Sequence, residues 1–151
     1  MYRILFVCLG NICRSPMAEF VFRDMVKKAG LEDRVEIASA ATSTWELGNP
    51  PHHGTQAELK KHGISCAGKR AVLLKPADYD RYDLILGMDY ENMRDMDRIF
   101  GGDPSGKVHL LKEYSTGGEV DDPWYTGDYA TTYRDVSEAC GNLLEQLKKQ
   151  I

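Results

Sequence analysis

The chain has 151 residues, 42% of them hydrophobic and 28% charged. That composition fits one globular domain, 1–151, and excludes a disordered, collagenous or coiled-coil chain. Nineteen basic against 23 acidic residues leave a net charge of −4, the wrong sign for general nucleic-acid binding. Any anion must therefore be held by local geometry.

Ile4–Leu9, the longest early apolar run, is too short to span a bilayer or to form a signal core, so a cytoplasmic protein is expected. Ile4-Leu5-Phe6-Val7 is β-branched and aromatic without alternation, which suits a strand buried on both faces. A glycine-containing loop, Cys8–Arg14, follows. Ser15 is the expected N-cap of a helix with Pro16 at its first position. Met17, Val21, Phe22, Met25, Val26 and Ala29 give that helix an apolar face, and Gly30 ends it. Val35–Ala41 is expected to form a second strand and Thr42–His53 a loop. Thr55–His62 reads as a short helix closed by Gly63. Asp83–Met88 is a third strand, followed by a helix over about Tyr90–Phe100 and a fourth strand over Lys107–Leu111. A polar loop, Lys112–Asp128, leads to an amphipathic helix over roughly Tyr129–Lys149. Strands alternating with helices imply an α/β fold: a doubly wound, Rossmann-like, four-stranded parallel sheet with helices on both faces. Ligands in such sheets sit beyond the carboxyl ends of the strands, so the loops after strands one, two and four should converge.

Cys8-Leu9-Gly10-Asn11-Ile12-Cys13-Arg14-Ser15 carries the strongest chemical signal. Between a buried strand and a helix start, successive backbone N–H groups can form an anion nest, and the helix N-terminus adds further donors. Arg14 can clamp two phosphate oxygens with its planar fork. Such a field lowers a cysteine pKa from ~8.5 into the ~3.5–7.5 range, making Cys8 a thiolate nucleophile at neutral pH. Gly10 is expected to supply a positive φ, and Asn11 tolerates one. The Ser15 hydroxyl is expected to hydrogen-bond the sulfur. An isolated cysteine is most often simply a buried apolar residue, but Cys-x5-Arg between a strand and Ser-Pro is not isolated. Cys66 and Cys140 stand alone, so no zinc site is expected. The Gly-Lys-Ser/Thr of a nucleotide loop is absent. With too few cysteines for a secreted scaffold, all four are expected as reduced thiols.

Hydrolysis through a cysteine also needs a proton for the leaving oxygen. Asp122, in Asp121-Asp122-Pro123-Trp124-Tyr125, is the candidate general acid, with Asp121 as its competitor. Asp103-Pro104 reads as a turn. Trp45, Trp124 and Tyr125, with Leu9 and Ile12, are expected to wall a slot for an aromatic ring, and Gly10, Asn11, Cys13 and Ser15 are expected to complete the substrate-binding loop. Ser39 and His62 are expected to brace the loop through Asn11. His52, His53 and His109 carry no signal.

At these residues the chain resembles the low-molecular-weight protein tyrosine phosphatases. Val7–Glu19 looks like that family's signature loop. Ser39-Ala40-Ala41-Thr42, Trp45, Gly48-Asn49-Pro50, Leu86-Gly87-Met88-Asp89 and Asp122-Pro123-Trp124-Tyr125 match its other segments. The resemblance implies hydrolysis of phosphotyrosine or small aryl phosphates through a cysteinyl-phosphate, without cofactor or metal. Cys8 would be nucleophile, Arg14 the clamp and Asp122 the acid. It also implies a reversible Cys8–Cys13 disulfide. Phosphorylation after the acid would be confined to Tyr125, because Trp124 stands at the first position. Phosphotyrosine proteins are the expected partners, with no nucleic acid or membrane, and a monomer or weak homodimer is the expected assembly. Related arginine phosphatases usually carry threonine where Ile12 stands, which favours an aryl ester here. Arsenate reductases of similar fold need two later cysteines that Leu74–Phe100 lacks. A phosphocysteine carrier domain would need neither Arg14 nor Asp122.

Overall fold

A computed structural model describes residues 1–151. Four parallel strands, β1 (Tyr2–Cys8), β2 (Val35–Ala41), β3 (Leu84–Gly87) and β4 (Val108–Leu110), form one sheet in the order β2-β1-β3-β4. Crossovers run through α1 (Arg14–Lys28), through α2 (His53–Lys61) and α3 (Asp78–Arg81), and through α4 (Tyr90–Phe100). A 3-10 turn (Leu111–Tyr114), α5 (Pro123–Thr126) and α6 (Tyr129–Lys148) complete the chain.

The unalternating apolar run in β1 has the expected cause. Ile4, Phe6 and Cys8 point into the core under α1 and α6, where Phe6 meets Phe22 edge to face at 5.9 Å. Leu5 and Val7 point to the other face, with Tyr79, Tyr82, Ile85 and Met96 of the α3 and α4 layer. The doubly wound sheet with helices on both faces is therefore as expected. After β1 the chain moves one way to β2, and later the other way to β3. The carboxyl end of β1 is thus the topological switch point where a doubly wound sheet opens a crevice.

Several local expectations change. Helix α1 begins at Arg14 with Cys13 as N-cap, and no side chain caps it. Ser15 lies inside the first turn because its hydroxyl bonds Asn11 and Cys8 instead. Gly10 does not carry the positive φ; Asn11 does, at 58°. The loop before α6 is partly helical, since Asp122 accepts the Trp124 N–H and caps α5, a turn opened by Pro123. Asp103 is more than a turn residue: it accepts from Tyr79 Oη at 2.6 Å and from the Lys107 and Val108 amides, fixing the entry to β4. No helix is long and apolar enough to cross a membrane.

Candidate active site

Cys8 ends β1, and α1 starts six residues later with the Ser15 amide of its first turn turned back toward the sulfur. The Ser15 N–H donates to Cys8 Sγ at 3.4 Å, and Ser15 Oγ stands 3.0 Å from it. Asn11, fully buried, fixes the direction of these bonds. Its Nδ2 donates to Ser15 Oγ (2.7 Å) and to Ser39 Oγ (2.9 Å), while its Oδ1 accepts the Val72 N–H (3.1 Å). Since Ser15 accepts from Asn11, its own hydrogen is free for the sulfur. Ser39 donates to Glu19 Oε1 at 2.6 Å. That buried carboxylate is matched by Arg23 (2.9 Å) and Lys69 (3.3 Å), and Lys69 also donates to the Ser39 carbonyl. The Glu19 carboxylate and the Cys8 sulfur stand at the two ends of one relay with the Asn11 amide as donor hub.

Arg14 is buried beside the sulfur. Nη1 donates to Asp89 Oδ2 at 2.7 Å and to the Val120 carbonyl at 3.0 Å; Nη2 lies 3.4 Å from Asp122 Oδ2. Burial works against its charge, but Cys8, Asp122 and Asp89 outweigh it and hold the guanidinium above its ordinary pKa. Asp89 serves twice: one oxygen caps α4 through the Asn92 amide, and the other orients Arg14.

These groups meet in a cavity of about 140 Å³. Cys8, Leu9, Gly10, Ile12, Cys13 and Arg14 of the loop after β1 form its floor, and Trp45, Glu46, Asp122, Trp124 and Tyr125 from two other loops complete its lining. Trp45, Trp124 and Tyr125 are 74%, 56% and 79% exposed, so they form an open rim. Asn11 and Ser15, expected to touch substrate, lie buried behind the floor and support it. Asp121 is exposed and outside the cavity. Ser39 braces Asn11 as expected, but His62 does not. Its ring stacks on Tyr133 at 3.7 Å and pairs with Glu58 of its own helix, as the i,i+4 spacing allows. Glu19 and Lys69 hold the far end of the Ser39 brace instead.

Sequence reasoning missed Glu19, Glu46, Lys69 and Asp89. Asp89 had a signal, being an N-cap directly after a buried strand. Glu46 had one too, as the neighbour of Trp45. Burial pushes the Cys13 thiol up to about 12, so it remains protonated beside Cys8. No three His, Cys, Asp or Glu side chains cluster as metal donors.

Residues 3–151 match the family described as low molecular weight phosphotyrosine protein phosphatase. The chain is 40% identical to low molecular weight protein-tyrosine-phosphatase YfkJ of Bacillus subtilis, covering 99% of this chain and 98% of that protein. The YfkJ crystal structure superposes with a TM-score of 0.96, at 99% and 96% coverage. A Gallus gallus low molecular weight phosphotyrosine protein phosphatase is 42% identical, over 95% of this chain and 94% of that one. The structure of a Drosophila arginine phosphatase is 30% identical with a TM-score of 0.86, at 96% and 97% coverage.

Proposed function

The chain belongs to the low molecular weight phosphotyrosine protein phosphatase family, and on that premise we propose that it hydrolyses phosphotyrosine in proteins through a phosphocysteine formed on Cys8. The whole chain acts as one catalytic domain. Cys8 Sγ attacks phosphorus; an S–P bond forms and the bond from phosphorus to the phenolic oxygen breaks. Asp122, as the acid, gives its proton to the departing oxygen. Water then attacks phosphorus while Asp122, now carboxylate, takes a proton from it. The S–P bond breaks, inorganic phosphate leaves, and the Ser15 hydroxyl and amide stabilise the returning thiolate. Arg14 clamps two phosphoryl oxygens in both steps, and Asp89 orients the fork. Leu9, Ile12, Trp45, Trp124 and Tyr125 flank the aryl ring. Asn11, Gly10 and Cys13 complete the loop, and Ser39 braces it.

One observation supports this reading above all: the Cys8 sulfur takes the Ser15 N–H and stands at hydrogen-bond distance from the Ser15 hydroxyl at a helix N-terminus, in a cavity shared by Arg14 and Asp122. Rapid mixing with p-nitrophenyl phosphate in EDTA tests it. A stoichiometric burst of nitrophenolate and acid-labile phosphate on the Cys8 peptide are expected, and Cys8→Ser should abolish both. Turnover by Cys8→Ser, or faster hydrolysis of a phosphoarginine peptide than of a phosphotyrosine peptide, would refute it.

A further inference from the structure

Beside the phosphate loop, His52 and Tyr129, which the chemistry above does not use, cluster with Cys13 of the loop and Trp124 of the rim. The backbone N–H of His52 donates to the Ile12 carbonyl at 2.8 Å. Its Nδ1 accepts the Gly54 N–H at 3.0 Å, capping α2, and lies 2.8 Å from Tyr129 Oη. That oxygen is 3.7 Å from Cys13 Sγ. A backbone N–H can only donate, so Nδ1 is the acceptor; Tyr129 then donates to the same nitrogen, and the Cys13 thiol donates to Tyr129. His52 is thereby the neutral tautomer with its hydrogen on Nε2. The ring stacks on Tyr129 (5.3 Å, 9°), meets Trp124 edge-on (5.5 Å, 77°) and lies against His53 (4.1 Å). Gly54 is fitted to the arrangement, because a Cβ there would land on the Tyr129 ring.

The geometry points to His52 as a positioning residue that fixes the phosphate loop and the Asp122–Trp124 segment relative to each other, and that does so only while its ring is neutral. This rests on the roles proposed above for Cys8 and Asp122. The His52 backbone pins Ile12, and its ring pins Trp124, two residues from the acid. A proton on Nδ1 would face the Gly54 N–H, which can only donate, and would force the Tyr129 hydroxyl to turn its own hydrogen away, so the cluster would open. The groups facing the ring are His53 on α2, Glu46 after β2 and Tyr129 on α6, with Cys13 and Asp122 one contact further. Burial, aided by His53 and opposed by Glu46, holds the His52 pKa below its ordinary 6.5. The contact is therefore complete above pH 6.5 and is lost as pH falls through the lower value.

His52→Asn keeps a cap for the Gly54 amide but does not reach Tyr129 or Trp124. Phenyl phosphate has the poorer leaving group and depends more on the Asp122 proton than p-nitrophenyl phosphate does. His52→Asn should lower kcat/KM about tenfold on phenyl phosphate and about twofold on p-nitrophenyl phosphate, a part of the ~10²–10⁴ that acid catalysis supplies. Equal losses on both, or none, overturn the proposal. With Trp45→Phe, Trp124 is the sole tryptophan, and an imidazolium at ring contact quenches it. Its emission should fall on acidification below pH 6.5, and His52→Asn should abolish the fall. Tyr129→Phe should move the midpoint upward, because one donor to Nδ1 is gone. An unchanged titration in either variant overturns the proposal. Cys8→Ser assayed in parallel separates the two failures: residual turnover there sinks the functional reading, whereas wild-type behaviour of His52→Asn beside an inert Cys8→Ser sinks the positioning role alone.

Discussion

Replacing Asn11 by alanine removes two donated hydrogen bonds, to Ser15 and Ser39, and one accepted from the Val72 amide. Each is worth about 1 kcal/mol net, and Val72 is half exposed, so water recovers the last one. Alanine must also hold φ at 58°, a left-handed conformation that costs an ordinary side chain about 1–2 kcal/mol. Asn11→Ala should therefore lose about 3–4 kcal/mol, a large share of the ~5–15 kcal/mol of a domain this size. Asn11→Gly loses the same hydrogen bonds but adopts the positive φ freely, so it should be about 1 kcal/mol more stable than Asn11→Ala. Urea unfolding by linear extrapolation reads the difference. Turnover should fall alike in both, because neither holds the Ser15 hydroxyl on Cys8. If Asn11→Gly is no more stable than Asn11→Ala, backbone strain is not what asparagine relieves here.

Asp122→Ala should lower kcat by roughly 10²–10⁴, and more for poor leaving groups, in steady-state assays across a series of aryl phosphates. Arg14→Lys should lower kcat/KM by at least about 100-fold, because one ammonium cannot reproduce a buried fork that serves Asp89, Asp122 and the Val120 carbonyl; phosphate inhibition should weaken with it. At pH 7 iodoacetate should label Cys8 alone in peptide mapping, since burial holds Cys13 at about 12 and raises Cys66 and Cys140 as well. Partial burial pushes the Asp103 carboxyl up, but bonds from Tyr79 and the Lys107 and Val108 amides, with His109 nearby, outweigh it and hold it below the ordinary 3.8. Its stabilisation is thus complete above pH 3.8 and is lost as pH falls through the lower folded value. Asp103→Asn should cost of order 1 kcal/mol near neutral pH and flatten the acid limb of thermal stability measured by circular dichroism.

Strands β1 and β3 were legible because they are short apolar runs without alternation, a pattern that suits a sheet covered on both faces, followed by loop and helix-start signals that set them apart from a buried helix. The meeting of Cys8, Arg14 and Asp122 in one cavity was legible because strand, loop and helix start follow one another within a few residues, and because Asp122 precedes a proline in a loop beyond the carboxyl ends of the strands. What sequence did not disclose depends on distant residues meeting. Ser15 looks like a helix cap, and only the approach of Asn11 and Cys8 draws its hydroxyl inward. His62 looked able to reach the loop, but α2 turns it toward Tyr133 instead. Glu19 sits in the first turns of a helix with nothing local to distinguish it from a solvated carboxylate. Its role appears only when Ser39 of β2 and Lys69, fifty residues away, close around it.

The demands on position 11 meet in no other residue type. Glu19 accepts only, so Ser39 must donate to it and cannot donate to the loop. The loop residue facing Ser39 must therefore donate, and must donate again to Ser15 if the Ser15 hydrogen is to face sulfur. Aspartate tolerates the same backbone but has no hydrogen to give, and it would draw the Ser15 hydrogen away from Cys8. Glycine turns freely but is silent. Glutamine donates, but its longer side chain is not among those that enter the left-handed region readily. Asparagine alone combines a tolerated φ of 58° with two hydrogens on one nitrogen and an oxygen for the Val72 amide. The buried carboxylate, its paired cations and this amide thus act as one device, whose output is the direction of a single hydroxyl hydrogen beside the sulfur.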